Sequence, residues 1–461
     1  MGDTLINITV KDILNNCDAK LLIGSENETI NECFVDSKKV KEGGCFFGIK
    51  GDKTDGSLYY KQAFDNGANV CVISKIYDLD LKGYDDKTVI VSNDVKKCLQ
   101  DLAKYKRKLF KGTVIGITGS VGKTSTKDIL SNILSENFKV LKTMGNENSQ
   151  VGLPLTILRL KDEDVMVLEM GMSRKGEIHN LSELAKPDVA VITNVLDSHI
   201  GNLGTKENIL KAKLEIIDAM ESGTLIINND NNMLKNITLD KENKVRITTY
   251  GIENKSNVMA NNIKEGIKTT FDIEDITGLE IKGCTALIYN VLAAYLVSKL
   301  LGVSRAMIKK GINEYQGEKH RLEIINLDDN VTIIDDAYNA SYDSVALALE
   351  YMKNFSGRKI AVLGDILELG KESKKVHRKI GKLVTQSGID YLVTIGKYSK
   401  YIKKEAQKNG MKRRNVKHFK NEVKGRRYVK SLIKKNDVLL IKGSNGINLI
   451  DLVKYIKNNM K

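Results

Sequence analysis

The sequence predicts an α/β protein of three domains, with a phosphate-loop domain at its centre. Three observations lead there. Short apolar strands alternate with helices along most of the chain, the mark of mostly parallel, doubly wound sheets. A strand, a glycine turn, Gly-Lys-Thr and a helix follow one another near residue 114. The chain has 461 residues, a length that suits about three domains.

Val114-Ile115-Gly116-Ile117-Thr118 reads as a buried strand and Gly119-Ser120-Val121-Gly122 as a turn. Lys123 then opens a helix carrying Ile129, Leu130, Ile133 and Leu134 on one face. In such a layout backbone N–H groups and the positive helix end face phosphates. Lys123 neutralises the outer ones, and the Thr124 hydroxyl is placed to ligate Mg²⁺. The spacing is T-G-x-x-G-K-T rather than the strict G-x-x-x-x-G-K-[ST], because Ile117 stands five before Gly122. A glycine-rich turn ahead of a surface helix is the plain alternative.

Composition narrows the classes. With 41% hydrophobic and 28% charged residues the chain is ordinary globular material able to bury a core. No apolar run approaches the roughly 20 residues of a membrane span. Asp3, Asn7, Lys11 and Asp12 interrupt any signal-peptide pattern, so no membrane insertion is expected. Six cysteines without a C-x-x-C pair suit a reduced, cytoplasmic protein. The net charge of +15 would fit nucleic acid or polyanionic small substrates. Lys outnumbers Arg, however, and no basic motif is interleaved with aromatics; only 411–430 is densely basic. A lysine-rich solvated surface and no nucleic-acid partner are expected.

Residues 1–110 read as a small α/β domain. Ile13, Leu14 and Leu21 are assigned to an early helix and turn, Cys45–Ile49 and Val70–Ile73 to buried strands, and Tyr60–Asn66 to the helix between them. Asp36-Ser37-Lys38 and Gly51–Gly56 lie in polar loops flanking a strand. Residues 111–316 form the central unit. Asp164–Glu169 is an apolar strand ending in a carboxylate, where either a Mg²⁺ ligand or a simple strand cap would stand. Asp188–Thr193 is a strand followed by a loop with His199, and Lys213 lies on the next helix. Thr224–Asp230 is a further strand, and Leu287–Leu301 an apolar helix carrying Asn290, with Gly302 as its C-cap. Residues 317–461 read as a Rossmann-like unit with strands at 331–336, 359–365, 391–396 and 437–443, though no G-x-G-x-x-G follows the first.

Several stretches together resemble the Mur ligases, the ATP-dependent amide-forming enzymes of peptidoglycan precursor synthesis. They are Asp36-Ser37-Lys38, Gly51–Gly56, Thr118–Thr126, Gly145–Asn148 with Val151–Pro154, and Glu169-Met170-Gly171 with Gly176-Glu177-Ile178. His199 with Ala212–Glu215, Asp335–Ala340, Leu363–Gly370 and Lys442-Gly443-Ser444 complete the set. The last three stretches are most similar to the branch that joins D-alanyl-D-alanine to a UDP-N-acetylmuramoyl-tripeptide. The D-N-P-R signature of the ligases adding the third amino acid is absent.

That resemblance implies an N-terminal domain holding the UDP-sugar peptide, a central ATPase domain and a C-terminal domain closing over both, in a monomer. It implies that Gly119, Ser120, Gly122, Lys123, Thr124, Ser125, Asn290, Arg321 and Asp336 bind ATP, and that Asp36, Ser37, Lys38 and Asn148 hold the UDP-sugar substrate. Thr124, Glu169, His199 and Lys213 would serve Mg²⁺, with Lys213 as a carbamate, and Lys123, Glu169, His199 and Lys213 would be catalytic. The sequence departs from the family pattern at several points. Lys38 stands for Arg, Ser57 for His, Ser125 for Thr and Ser149 for Asn. Leu196 stands for Gly, Gly201 for the Glu two after the histidine, Ala286-Leu287 for His-Asn, Ser341-Tyr342 for Asn-Pro and Asn445 for Arg. A ligase joining a different amine, or a nucleotide-binding sensor, would keep the same fold.

Overall fold

A computed structural model describes residues 6–75, 79–240, 242 and 244–460; Asp3 lies outside them. Three large sheets follow one another along the chain, and a short antiparallel pair, Ile8–Thr9 with Thr29–Ile30, precedes them. The first sheet has five strands in the order Ala19–Ile23, Thr88–Ser92, Ala68–Ile73, Gly44–Phe47, Cys33–Phe34. Leu21, expected in a helix or turn, lies in the edge strand Ala19–Ile23, which pairs antiparallel with Thr88–Ser92. Its partly buried and exposed residues alternate, the period of a strand with one face on the core.

The second sheet has nine strands. Its parallel heart is Gly223–Asn228, Val189–Ile192, Thr113–Thr118, Val165–Glu169 and Val140–Lys142, in that order. Val114, Ile115, Ile117, Met166, Val167 and Leu168 are fully buried, because helices cover both faces of this region. One face shares a continuous apolar core with the N-terminal unit, reached through the helix Val95–Leu109. The other packs under the helices Lys123–Leu134 and Ala286–Leu300.

Beyond Val245–Gly251 the sheet turns antiparallel through Val258–Lys264, Lys268–Ile273 and Ile276–Lys282. These strands depart from the expected mostly parallel pattern. Val258, Ala260, Phe271, Ile273, Leu279 and Ile281 are buried while Asn, Lys and Glu between them face water, so no continuous apolar run marks them.

The third sheet has six strands in the order Glu323–Leu327, Val331–Asp336, Val438–Lys442, Lys359–Gly364, Tyr391–Ile395, Val416–Phe419. All but the first run parallel. Among the described residues no helix is long and apolar enough to cross a membrane, and all six cysteines are free thiols.

The C-terminal unit is seated on the middle one. Arg321 donates to Thr124, the Tyr351 hydroxyl to the Ile267 carbonyl at 2.9 Å, and the short helix Ile200–Leu203 packs against Gly370–Glu372. His199, expected in a loop, stands directly before that short helix at φ 63.

Candidate active site

The carboxyl ends of the parallel middle strands open into a cavity of about 1410 Å³ shared with the third unit, as expected of an open α/β sheet. It is lined by Gly119, Ser120, Gly122, Lys123, Thr124, Ser125, Asn148, Glu169, His199, Lys213, Asn290, Arg321 and Asp336. All but three of the sequence-derived site residues thus meet in one place.

The exceptions are Asp36, Ser37 and Lys38, which do not reach this cavity. Asp36 caps the turn Ser37–Lys39 by accepting from the Lys38 N–H at 3.1 Å, and Ser37 donates to Gln62 at 2.6 Å.

The phosphate loop is held by backbone geometry and by the neighbouring strand. Gly122 is left-handed at φ 84, a conformation that penalises a side chain. A Cβ on Gly119 would come within 1.8 Å of Thr193 Oγ1. Val121 N–H donates to Asn194 Oδ1 at 2.9 Å, and the Asn194 amide and Thr193 hydroxyl donate back to the Val121 carbonyl at 3.0 and 2.7 Å. Asn194 and Thr193 carry no motif of their own, so only the register of parallel strands Val189–Ile192 and Thr113–Thr118 points to them. Lys123 Nζ donates to the Gly119 carbonyl at 2.8 Å, folded back over the loop it would share with a phosphate. Asn290 is buried against Gly122 and accepts from Thr126 Oγ1 at 3.2 Å, buttressing the start of the helix.

Across the cradle stands Glu169, 2% exposed. Asn148 donates to its Oε1 at 2.7 Å, while its Oε2 is buried with no hydrogen-bond partner among the described residues. A buried carboxylate oxygen left open costs desolvation energy that a cation would relieve. Lys213, 1% exposed, lies in the same cluster. Burial, then the charge of Lys123, drive its ammonium well below the ordinary lysine range. Burial lowers Lys123 too, against the opposing pull of Glu169, and Arg321 adds to the lowering. The open Glu169 carboxylate oxygen and the Thr124 hydroxyl are the oxygen donors that Mg²⁺ takes beside a polyphosphate, and Lys213 would join them only as a carbamate.

The third unit supplies the lid. Arg321 Nη2 donates to Thr124 Oγ1 at 3.0 Å, its Nε is 2.9 Å from Glu318, and its guanidinium lies 4.2 Å from the Tyr338 ring centre. Glu318 in turn faces Asp128 and the buried Lys127 (3.9 Å) at the base of the phosphate-loop helix. Asp336 accepts from Lys442 at 2.6 Å at the carboxyl ends of two paired strands. His199 Nδ1 is 3.0 Å from Glu368 Oε2. The two groups are close, but the contact does not have the geometry of an aligned hydrogen bond. The imidazole holds the Glu368 carboxyl below the usual range. Tyr338 and Glu368 lie in stretches already singled out, but the chain separation from their partners hides the contacts.

Some departures from the family pattern are accounted for locally. Ser57 is fully buried, donating to the Gly48 carbonyl at 2.8 Å and accepting from Ser74 N–H at 2.9 Å. Ser341 caps the helix Tyr342–Met352. Ser149 Oγ accepts from Gly152 N–H at the start of the helix Gly152–Leu158.

Comparison with known proteins agrees with this geometry. Models of the Mur ligase family catalytic domain, the Mur ligase middle domain and the Mur ligase glutamate ligase domain match residues 29–111, 117–298 and 320–445. The UDP-N-acetylmuramoyl-tripeptide–D-alanyl-D-alanine ligase of Bacillus subtilis is 35% identical, covering 98% of each chain. The enzyme of that name from Escherichia coli is 29% identical over 99% of each. Among solved structures, MurF from Acinetobacter baumannii superposes with a TM-score of 0.85 at 26% identity, covering 99% of this chain and all of that one. MurF ligase from Thermotoga maritima in complex with ADP gives 0.78 at 28% identity, covering 93% and 98%. Likeness that runs from end to end, in sequence and in the order of the three domains, is membership: this chain belongs to the Mur ligase family.

Proposed function

We propose that the chain is an ATP-dependent ligase that joins D-alanyl-D-alanine to a UDP-N-acetylmuramoyl-tripeptide in peptidoglycan precursor synthesis. The observation that carries this is the phosphate cradle facing Glu169 and Lys213 inside a cavity roofed by another domain. The whole-length relatives bearing that name support the choice of substrates. In this reading residues 1–110 hold the UDP-sugar, 111–316 hold ATP, and 317–461 close over both and admit the dipeptide. The enzyme works as a cytoplasmic monomer.

The chemistry follows from charge. The donor carboxylate attacks the γ-phosphate of ATP, giving an acyl phosphate and ADP; the dipeptide amine then displaces phosphate through a tetrahedral intermediate. Two anions must meet in the first step. Lys123 neutralises the outer phosphates, and the loop N–H groups from Gly119 to Thr124 hold them in line. Thr124, Glu169, His199 and a carbamate on Lys213 would hold Mg²⁺, which supplies further charge neutralisation when bound. Arg321 moves from Thr124 to the nucleotide as ATP enters, and Asn290 keeps the helix end in place. Asp336 holds Lys442 at the same rim, and Asn148 orients Glu169 on the side where the donor arrives. Water has to be excluded in the second step, because hydrolysis of the acyl phosphate wastes ATP, and the seated third domain does this.

Phosphate release tests the reading. Purified protein with ATP, UDP-N-acetylmuramoyl-tripeptide and D-alanyl-D-alanine should turn over, and omission of the tripeptide donor or of the dipeptide should reduce the rate to near background. Equal release with ATP alone, or full replacement of the dipeptide by L-amino acids, would refute the assignment.

A further inference from the structure

The middle domain carries Gly201 two residues after His199. A carboxylate that meets His199 comes from the C-terminal domain, on Glu368. Two independent features hold it there. Glu368 is left-handed at φ 62 in the turn before Gly370. The turn's backbone also lies directly on Gly201. A Cβ at that position would sit 2.8 Å from the Glu368 carbonyl oxygen, 3.1 Å from the Leu369 carbonyl carbon and 3.2 Å from the Gly370 nitrogen. Two backbones approach this closely only because residue 201 has no side chain.

We infer that Glu368 is a positioning residue. When the third domain is seated, its Glu368 carboxylate stands 3.0 Å from His199 Nδ1 and holds the imidazole in place across the domain boundary. The inference rests on the ligase reading given above. Its physical basis is general: the orientation of a working imidazole is set by the partner that stands against its second nitrogen. Here that partner belongs to a different domain, so the histidine is oriented only in the closed molecule. Gly201 and Glu368 act together, one making room and the other filling it. The Glu368 side chain is 60% exposed, and an exposed ion pair contributes little to stability. Its role is therefore separable from folding.

The test uses the full chain. Glu368→Gln should unfold at the wild-type temperature, lower kcat about tenfold to a hundredfold, and leave the KM for ATP within a factor of about three. Mn²⁺ binding to the ADP complex, read by electron paramagnetic resonance, should weaken by a comparable factor. On a His199→Ala background Glu368→Gln should add no further loss, because it acts through the histidine. Gly201→Ala should mimic Glu368→Gln, and small-angle scattering with nucleotide should detect a more open molecule. Unchanged kcat and Mn²⁺ affinity in Glu368→Gln would overturn the inference, as would a loss that multiplies fully with that of His199→Ala. If the wild type lacks ligase turnover the function reading fails, while the Mn²⁺ and scattering measurements still judge Glu368.

Discussion

Lys213 offers a test that reads chemistry and folding at once. Its amine is 1% exposed, and burial followed by the charge of Lys123 depresses its pKa well below 10.5. The unfolded chain keeps the proton up to that ordinary value. Between the depressed and ordinary values the unfolded state therefore binds one proton more than the folded state. Stability rises with pH across that window by about 1.4 kcal/mol per pH unit and levels off above it. Lys213→Met keeps the length of the side chain and removes the titration. The variant should be more stable than wild type at neutral pH, and its advantage should shrink by about 1.4 kcal/mol for each pH unit gained. Urea unfolding of the two proteins in CO₂-free buffer at several pH values measures this, read on the transition that exposes the middle-domain core. A pH-independent difference would mean that the ammonium stays charged in the fold. A neutral amine is also the form that adds to CO₂, forming an N–C bond and releasing a proton to solvent. ¹³C-bicarbonate should therefore give a carbamate resonance in wild type that is missing from Lys213→Met, and its absence from wild type would remove the carbamate from the mechanism.

Other expectations follow from the same geometry. Lys123→Ala should fold and lose at least about a hundredfold to a thousandfold in turnover; a folded variant with wild-type turnover would take the lysine out of phosphate binding. Gly122→Ala forces a side chain into left-handed backbone, costing about 1–2 kcal/mol, and places a Cβ 2.5 Å from Asn290 Oδ1. ADP affinity measured by calorimetry should fall at least tenfold, and unchanged affinity would contradict the fit of the loop. Burial and the neighbouring Asp128 push the Glu318 carboxyl far above the ordinary range. Its folded pKa, pushed up to about 8, exceeds the ordinary 4.5, so the stability it contributes is complete below pH 4.5 and is lost as pH rises through the folded value. Glu318→Gln should flatten that decline in a thermal-shift series, and an unaltered decline would refute the raised Glu318 carboxyl.

The phosphate-loop strand and helix were legible because each carries its own periodicity and a glycine spacing that few other structures need. Glu169 could be placed at a strand end, but an acid there is equally a cap. Only the fold shows that its Oε2 is buried without a partner. The sequence places Lys213 on a helix but gives no sign that it is buried, which only the fold shows. The antiparallel strands from Val258 to Lys282 were missed because they alternate apolar with polar residues and contain no long apolar run. Contacts such as Arg321 to Thr124 and Glu368 to His199 join residues more than a hundred positions apart. No spacing rule reaches that far, so motifs could name the residues while only the packing of the domains could pair them.

The central claim is that a carboxylate is activated by phosphoryl transfer before the amine arrives. It is tested most directly with tripeptide donor carrying ¹⁸O in its terminal carboxylate. With ATP and D-alanyl-D-alanine present, mass spectrometry of the released phosphate should find one ¹⁸O for each amide bond formed, carried over when the acyl phosphate is displaced. Phosphate free of the label, with the ¹⁸O retained in donor and product, would contradict the account.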